Sequence, residues 1–568
     1  VLCHYPRNVP ENPWNPAEVN ILWKFCSPGG LWAGQSSTNQ KPRFHSFLIT
    51  REDGSRCYGH VLTFRERCVD RSVKCNCIYY YIQVKWTRHY KNIQTGFSFK
   101  NTIVAYSTFT YDVITVSAIL SMQPTKQLFV DKCLCFITQQ AYINTCEQIL
   151  RKLYVLFVSN TTPPVLPVES YLYNLLYEIP LVNEGSSLKL SCMGHDDPVV
   201  VQQPSSSELP LLDVYLSRVV HLLGGARNLV NLMTSLLLEH QILLVSEDCH
   251  KLTLVGEGIT SLMFPFQWQH TIVTMLPYEV ATHFFDAPVP YIIGVLANQN
   301  KKGLVRQALE VSQQVNQCYV DLDNHIVEWP EEQPTFPNDV EIIEKINSII
   351  KVYNKEVKAS SMTSSVTSLD NQPTMEGHHN NHYSPHRHQS IINARVTLLN
   401  LLKSNETVER VANIAHKVGA FQSMDEINSL HANILGSDGK QHMNESLLRE
   451  HKLNASIRET LSSIFIVIFA QYDKFVIQYN EDMAGGEEFN PETQNNFDKI
   501  SFLSDQPESR LRFLISFLDT QMFASFVDNF IVSCNNIHVK DPLLKLFDDR
   551  IDQSKLPIDV KSPSSASS

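Results

Sequence analysis

The first side chains that could do chemistry are the histidines of GHHNNHYSPHRH, where His378, His379, His382, His386 and His388 offer enough imidazoles to collect a metal ion. A metal site also needs a packed frame that fixes each ring through a further hydrogen bond. The flanking residues form a Ser, Thr, Asn and Gln run without such a frame, so a solvated low-complexity loop with incidental histidines is the better account. Cys75 and Cys77, and likewise Cys133 and Cys135, are one residue apart, which on a strand puts each pair on one face. Zinc sites use paired C-x-x-C spacing, which is absent; buried thiols acting as small hydrophobes fit better.

Other reactive constellations fail in the same way. The Gly-Lys pair in GSDGKQ lacks the hydroxyl residue that would hold magnesium in a phosphate loop. GEGITS (Gly256 to Ser261) has two of the three glycines of a dinucleotide loop but sits inside a helical pattern. Neither H-E-x-x-H nor a G-x-S-x-G elbow occurs. Among the acids of the middle of the chain, Glu239, Glu257 and Asp286 stand out. Glu239 closes a helix beside His240, where a solvated charge at the bend is the expectation. Asp286 precedes Ala-Pro-Val-Pro and can fix that turn through its carboxylate.

The elements that must carry any site are legible from periodicity. FHSFLITREDGSRCYGHVLTF (Phe44 to Phe64) alternates apolar and polar residues about Asp53-Gly54 and predicts a β-hairpin. Cys68 to Thr125 follows neither period and reads as an insertion. KCLCFIT (Lys132 to Thr138) is a strand, and AYINTCEQILRKLYVLFV a helix. From Ala226 onward a helix to His240, a strand Ile242 to Ser246, a helix around Leu252 to Leu262, and strands Thr271 to Leu276 and Tyr291 to Leu296 alternate. Cys318 to Trp329 adds a hairpin. Such alternation predicts a mostly parallel sheet covered on both faces. Lys358 to Ser390 is a low-complexity linker, and Ile391 to Ile551 is helical, with Leu511, Leu514, Phe517, Leu518, Phe523 and Phe526 as its core stripe.

Composition narrows the class. With 568 residues, 43% apolar and 18% charged, the chain can bury several cores. A net charge of −11 opposes nucleic acid as a partner. SSIFIVIFA is too short to cross a bilayer. Thirteen cysteines without a small-domain framework suggest reduced thiols and a cytosolic setting, although Asn160, Asn405, Asn444 and Asn454 each begin a glycosylation triplet. The opening VLCHYPRN has no signal-peptide features and reads as the start of a fragment.

LLLEHQILLVSED (Leu236 to Asp248), GITSLMFPFQWQHTIVTMLP (Gly258 to Pro277) and DAPVPYIIGV (Asp286 to Val295) resemble the central module of the DENN domain family. HSFLITREDGSRCYGHVLTF resembles the upstream module, and FLSDQPESRLRFLISFLDTQMFASFVDN the downstream one. ESYLYNLLYEIPL, ELPLLDVYLSRVVHLLG and FLSDQPE are most similar to the subgroup whose DENN modules precede RUN and PLAT domains. The resemblance implies an α/β protein: a longin-like α/β upstream lobe plus a larger doubly wound α/β central lobe completed by a helical downstream module. The corresponding boundaries are 1–185 with an atypical insertion at 68–125, 200–350, a His/Ser-rich linker at 355–392, 393–552 and a tail at 553–568.

The implied function is a guanine nucleotide exchange factor that promotes GDP release from a Rab-family small GTPase in vesicle trafficking, gripped between the two lobes. No covalent chemistry and no cofactor of the chain's own follow, since GDP, GTP and magnesium travel with the GTPase. The implied setting is cytoplasmic, with peripheral association at Golgi or endosomal membranes. Rigid aromatic and proline-restricted turns suit a docking surface because they lose little entropy. On that argument Trp268, Gln269, Asp286, Pro288, Pro290 and Tyr291 hold or shape the contact, while Phe264 and Phe266 are core. Two alternatives stand: a Rab effector or trafficking scaffold that binds without opening the GTPase, and, ranked last, an α/β hydrolase.

Overall fold

The computed structural model describes residues 3–5, 25–28, 33–34, 41–50, 56–67, 82–86, 101–107, 129–156, 168–173, 175, 179, 182–190, 198–311, 316–366, 441–477, 496–535 and 541–555. They belong to two compact units, Val1–Lys351 with Lys452–Ser568, and Val352–His451.

The first unit begins with an antiparallel sheet of β1 (Cys3–Tyr5), β2 (Ala33–Gly34), β3 (Arg43–Thr50), β4 (Arg56–Arg67), β5 (Ile82–Trp86), β6 (Asn101–Ser107) and β7 (Phe129–Thr138). Its main order is β1-β6-β7-β4-β3, with β2 on β7 and β5 on β6. The expected hairpin is β3-β4, paired from Arg43↔Thr63 to Thr50↔Arg56; Asp53 and Gly54 lie outside the described residues. Gly59 stands opposite Phe47, whose ring occupies the space a Cβ would need, 2.1 Å from Cζ. β5 and β6 fall within 68–125; the remainder of that expected insertion, Cys75 and Cys77 included, lies outside the described residues.

Cys133 and Cys135 sit on one face of β7 and are fully buried with Cys26, Phe47, Cys57 and Val61. Burial pushes the Cys133 thiol up to about 12, so it packs as a neutral small hydrophobe. Helix α1 (Ile143–Tyr154) buries Ile143, Cys146, Ile149, Leu150 and Leu153 at helical spacing and packs on β4.

A short helix α2 (Val168–Tyr173) and the hairpin β8 (Ser186–Leu190)-β9 (Val199–Gln203) lead into α3 (Leu216–Leu222) and α4 (Ala226–Leu237). There follow β10 (Gln241–Ser246), α5 (Cys249–Thr260), β11 (Thr271–Pro277), α6 (Tyr278–Ala281) with the 3-10 turn Thr282–Phe284, β12 (Tyr291–Leu296), α7 (Gln299–Val311), β13 (Gln317–Asp321) and β14 (Ile326–Glu328). Strand order is β11-β12-β10-β13-β14; all pairs are parallel except the terminal β13-β14 hairpin. Leu243, Val245, Ile293 and Val295 pack on one face against Ala281, Phe285 and Val305. Alternate residues Ile242, Leu244 and Ile292 are equally buried on the other. Burial on both faces explains why these strands read as continuous apolar runs.

Helix α5 joins the two sheets, packing against β3 on one side and β10, β11 and β12 on the other. Thr253 Oγ1 donates to the Ser46 carbonyl at 2.6 Å and lies 3.2 Å from Thr274 Oγ1. Met275 of β11 completes the upstream core, so the upstream and central modules share apolar packing. The glycines of GEGITS serve this packing: a Cβ at Gly258 would lie 2.6 Å from Val219 Cγ2 of α3, and one at Gly256 would lie 3.0 Å from Thr274 Cγ2. Gly258→Ala should therefore cost about 1–3 kcal/mol through overpacking, read as a lower thermal midpoint.

Helix α8 (Asp339–Val366) continues into the stretch expected as a linker from 355, a correction that follows from the absence of Pro and Gly there and the low cost of propagating a formed helix. The remainder of that linker and residues 393–440 lie outside the described residues. In the second unit the Tyr353 hydroxyl donates to the Glu450 carboxylate.

The downstream helices are α9 (Gln441–Ile468), α10 (Lys499–Ser504), α11 (Glu508–Phe517), α12 (Gln521–Asn535) and α13 (Pro542–Lys555). Leu514, Phe517, Leu518, Phe523 and Phe526 are buried, and the stripe breaks into two helices at its five-residue step. Asn454, in one of the glycosylation triplets, is buried: its Oδ1 accepts from Leu216 N at 2.9 Å and its Nδ2 donates to Val214 O at 2.7 Å.

Candidate functional site

The six candidate residues gather at the rim formed by the N-terminal ends of the parallel strands. Thr271 pairs with Tyr291 and Gln241 with Gln317, which brings the segments entering β11 and β12 side by side. Gln269, Asp286 and Pro288 are exposed, and Pro290 is half-buried. Trp268 is 5% and Tyr291 1% exposed, so neither holds a partner directly. That part of the expectation is corrected: aromatic rings of this size bury far more apolar area in a core than at an open rim. What remains for them is to shape the rim from beneath. Trp268 Nε1 donates to the Thr271 carbonyl at 3.2 Å and its ring meets His270 edge-on at 5.4 Å. Tyr291 belongs to the core under α6 and α7.

The proline turn is held from neighbouring strands and not, as expected, by Asp286. Gln241 Nε2 donates to the carbonyls of Ala287 at 2.5 Å and Val289 at 3.3 Å, and Gln317 Nε2 to that of Phe285 at 3.0 Å. Sequence reasoning missed both glutamines, although each is the polar residue that opens a strand with an apolar middle, QILLVS and QCYVD.

Phe264 and Phe266 are core as expected. Phe266 meets Phe465, Phe469, Phe517 and Phe526 edge-on, with centroids 5.2, 5.7, 4.9 and 5.1 Å away. The aromatic segment before the rim is therefore the plug that seats the downstream helices on the central sheet.

Glu239 is not a solvated charge. Its Oε2 accepts from Gln521 N at 2.8 Å, and its Oε1 from Met522 N at 2.7 Å while lying 3.1 Å from His270 Nε2. The carboxylate thus satisfies two of the orphan amides at the start of α12, and Thr520 Oγ1 takes the amide of Phe523 at 3.2 Å.

The opposite edge of the sheet, where open α/β folds usually take ligands, is filled by ion pairs. Lys302 Nζ reaches Asp321 at 2.7 Å and Asp323 at 2.8 Å, and Lys251 reaches Asp323 at 2.7 Å. Asp323 also accepts from Ser246 Oγ at 3.0 Å and Glu247 N at 2.8 Å. Burial disfavours the charge on Asp323, but the hydrogen bonds from both lysines outweigh it and hold the carboxyl well below its usual range. Among the described residues no group of His, Cys, Asp and Glu could hold a metal.

Two carboxylates at the junction of the upstream and central modules go the other way. Tyr58 donates to Glu257 at 3.4 Å, and Asp213 accepts from Thr145 N at 2.8 Å. Burial raises Glu257 from 4.5 to about 7 and Asp213 from 3.8 to about 7. The sign follows: each contributes stability in full below its unfolded pKa, lost as pH rises toward 7. Glu257→Gln and Asp213→Asn together should flatten the fall in urea midpoint between about pH 5 and 7.

Comparison with known proteins supplies the family. The uDENN domain matches residues 1–64, the DENN (AEX-3) domain residues 129–325 and the dDENN domain residues 497–550. The DENN match begins at β7, the central partner of the upstream hairpin. The chain is 28% identical over 233 residues to the DENN domain and WD repeat-containing protein SCD1 of Arabidopsis thaliana, a match covering 41% of this chain and 18% of that protein. The chain thus spans less than a fifth of the length of that curated relative. DENN domains are exchange modules that bind small GTPases. With all three modules present in the order uDENN, DENN, dDENN, over an α/β fold whose core motifs coincide with them, this chain belongs to the DENN domain family.

Proposed function

We propose that the chain is a guanine nucleotide exchange factor for a Rab-family small GTPase in vesicle trafficking, and that the rim carrying Gln269, Asp286 and Pro288 belongs to the surface that docks it. The observation that carries this reading is a rim of exposed polar and proline residues set on buried Trp268 and Tyr291 and tied down by Gln241 and Gln317. Exchange makes and breaks no covalent bond. It requires that the emptied GTPase be bound in preference to the loaded one. If nucleotide is held at picomolar to nanomolar affinity, its binding is worth about 12–16 kcal/mol, and any preference for the emptied form offsets part of that and speeds release. A preformed surface spends little of its binding energy on ordering itself, which favours such a role. The likeness to the subgroup with RUN and PLAT domains belongs to the same proposal.

Fluorescent-GDP release across a panel of purified Rabs tests the reading. The expected result is acceleration for one Rab, with Gln269→Ala plus Pro288→Ala raising the half-saturating concentration about tenfold, the loss of roughly 1.4 kcal/mol of contact, at an unchanged melting midpoint. No acceleration for any Rab would overturn it.

A further inference from the structure

Glu239 occupies a position that glycine would fill without strain. It ends α4 at φ 54, in the left-handed region, with Glu239 N donating to Leu236 O at 3.1 Å and His240 N to Ser235 O at 2.9 Å. These are the closing bonds of a helix C-terminus that ordinarily selects Gly or Asn. A glutamate there is useful only for what its side chain reaches. That side chain crosses to the downstream module, takes the first two amides of α12, and with the same Oε1 meets His270. His270 in turn lies against Trp268, and between them stands exposed Gln269. One carboxylate thus joins the first turn of α12 to the rim loop 267–270.

We infer that Glu239 is a positioning residue for exchange, through which docking of the dDENN helix α12 sets the conformation of the loop that presents Gln269. The inference rests on the rim being the GTPase-facing surface. It assigns the downstream module a part in tuning that surface, in addition to the aromatic packing around Phe266. The route runs from α12 through the Glu239 carboxylate to the His270 imidazole and on to the loop.

Glu239→Gly in the full chain separates the side chain from its backbone, because glycine keeps the left-handed turn and removes the carboxylate. The expected result is a melting midpoint close to that of the unaltered chain, because relief of the left-handed turn offsets much of the lost capping. Amide hydrogen exchange should quicken at least tenfold both at Gln521 and Met522 and across 267–270. The half-saturating GTPase concentration in GDP release should rise at least fivefold. His270→Ala added to Glu239→Gly should bring little further loss, since both act on one path. Faster exchange at Gln521 and Met522 with 267–270 and GDP release unchanged would reduce Glu239 to a staple and overturn the inference. Should the unaltered chain accelerate release from no Rab, the proposed function fails, while protection of 267–270 in Glu239→Gly still decides whether the coupling exists.

Discussion

Phe266→Ala should lower the stability of the folded chain by about 3–5 kcal/mol, the range for deleting a buried aromatic ring. The ring is 4% exposed and sits edge-on to four phenylalanines: Phe465 of α9, Phe469 in the turn that follows it, Phe517 of α11 and Phe526 of α12. Truncation removes both the transfer free energy and the edge-to-face contacts, each of the latter contributing about 0.5–1.5 kcal/mol beyond area. Relaxation into the cavity is restricted because the neighbours are themselves locked by Phe502, Phe513 and Phe523. Urea denaturation followed by circular dichroism checks the value, and Phe266→Leu, which refills much of the volume, should recover a good part of the loss. A change below about 1 kcal/mol would show that the downstream helices do not depend on this plug.

Lys302→Met should cost about as much, roughly 3–5 kcal/mol, for a different reason. The ammonium is 4% exposed in its side chain and stands between Asp321 at 5% and Asp323 at 15%. Burial alone would lower its pKa, yet the two carboxylate hydrogen bonds raise it, so the ion is committed to the network. Methionine replaces the stem and leaves Asp321 with Asn324 and backbone amides but no cation, whereas Asp323 keeps Lys251. The pH dependence distinguishes this from a packing defect. Both carboxyls are held below their usual 3.8, so their stabilisation is present above that value and is lost as pH falls through the lower folded one. Without Lys302 that depression weakens, and the gap in urea midpoint between variant and unaltered chain should hold from pH 7 to about pH 4 and narrow only below it, as pH falls through the lowered folded values. A gap independent of pH would assign the loss to packing.

How much of this was legible in the sequence differs from element to element. The β3-β4 hairpin and the strands β10, β11 and β12 are legible almost residue for residue: the apolar runs of β10 to β12 record burial on both faces, whereas in the hairpin the polar residues His45, Ser46 and His60 are buried as well, so the pattern locates the strands and not an exposed face. The segments entering β11 and β12 are recognisable in the sequence as aromatic and proline-bound turns, but the depth of their aromatic rings is not. Trp268 and Tyr291 have the composition of a docking anchor, and nothing in a linear pattern says which side of a ring is covered. In the sequence Glu239 reads as solvated because its partners Gln521 and Met522 lie 282 and 283 residues away. Capping across modules leaves no local spacing. Gln241 and Gln317 escaped for the same reason, their acceptors being backbone carbonyls of a turn 32 to 48 residues distant.

Burial of α5 between two sheets bears on how the chain can act. The upstream and central modules share a core through Met275, Thr253 and the Cys26, Phe47 and Cys57 cluster, so the proposed docking surface is preformed and does not await closure of separate jaws. A preformed surface must discriminate by shape between an empty and a loaded GTPase. The most direct test is the affinity of the full chain for the responsive Rab in its nucleotide-free, GDP-bound and GTP-analogue-bound forms, measured by titration calorimetry. The account predicts that the empty form binds at least a hundredfold more tightly than either loaded form, a preference of about 2.7 kcal/mol or more. Tightest binding to the GTP-analogue form would contradict it and mark the chain as a reader of the active GTPase.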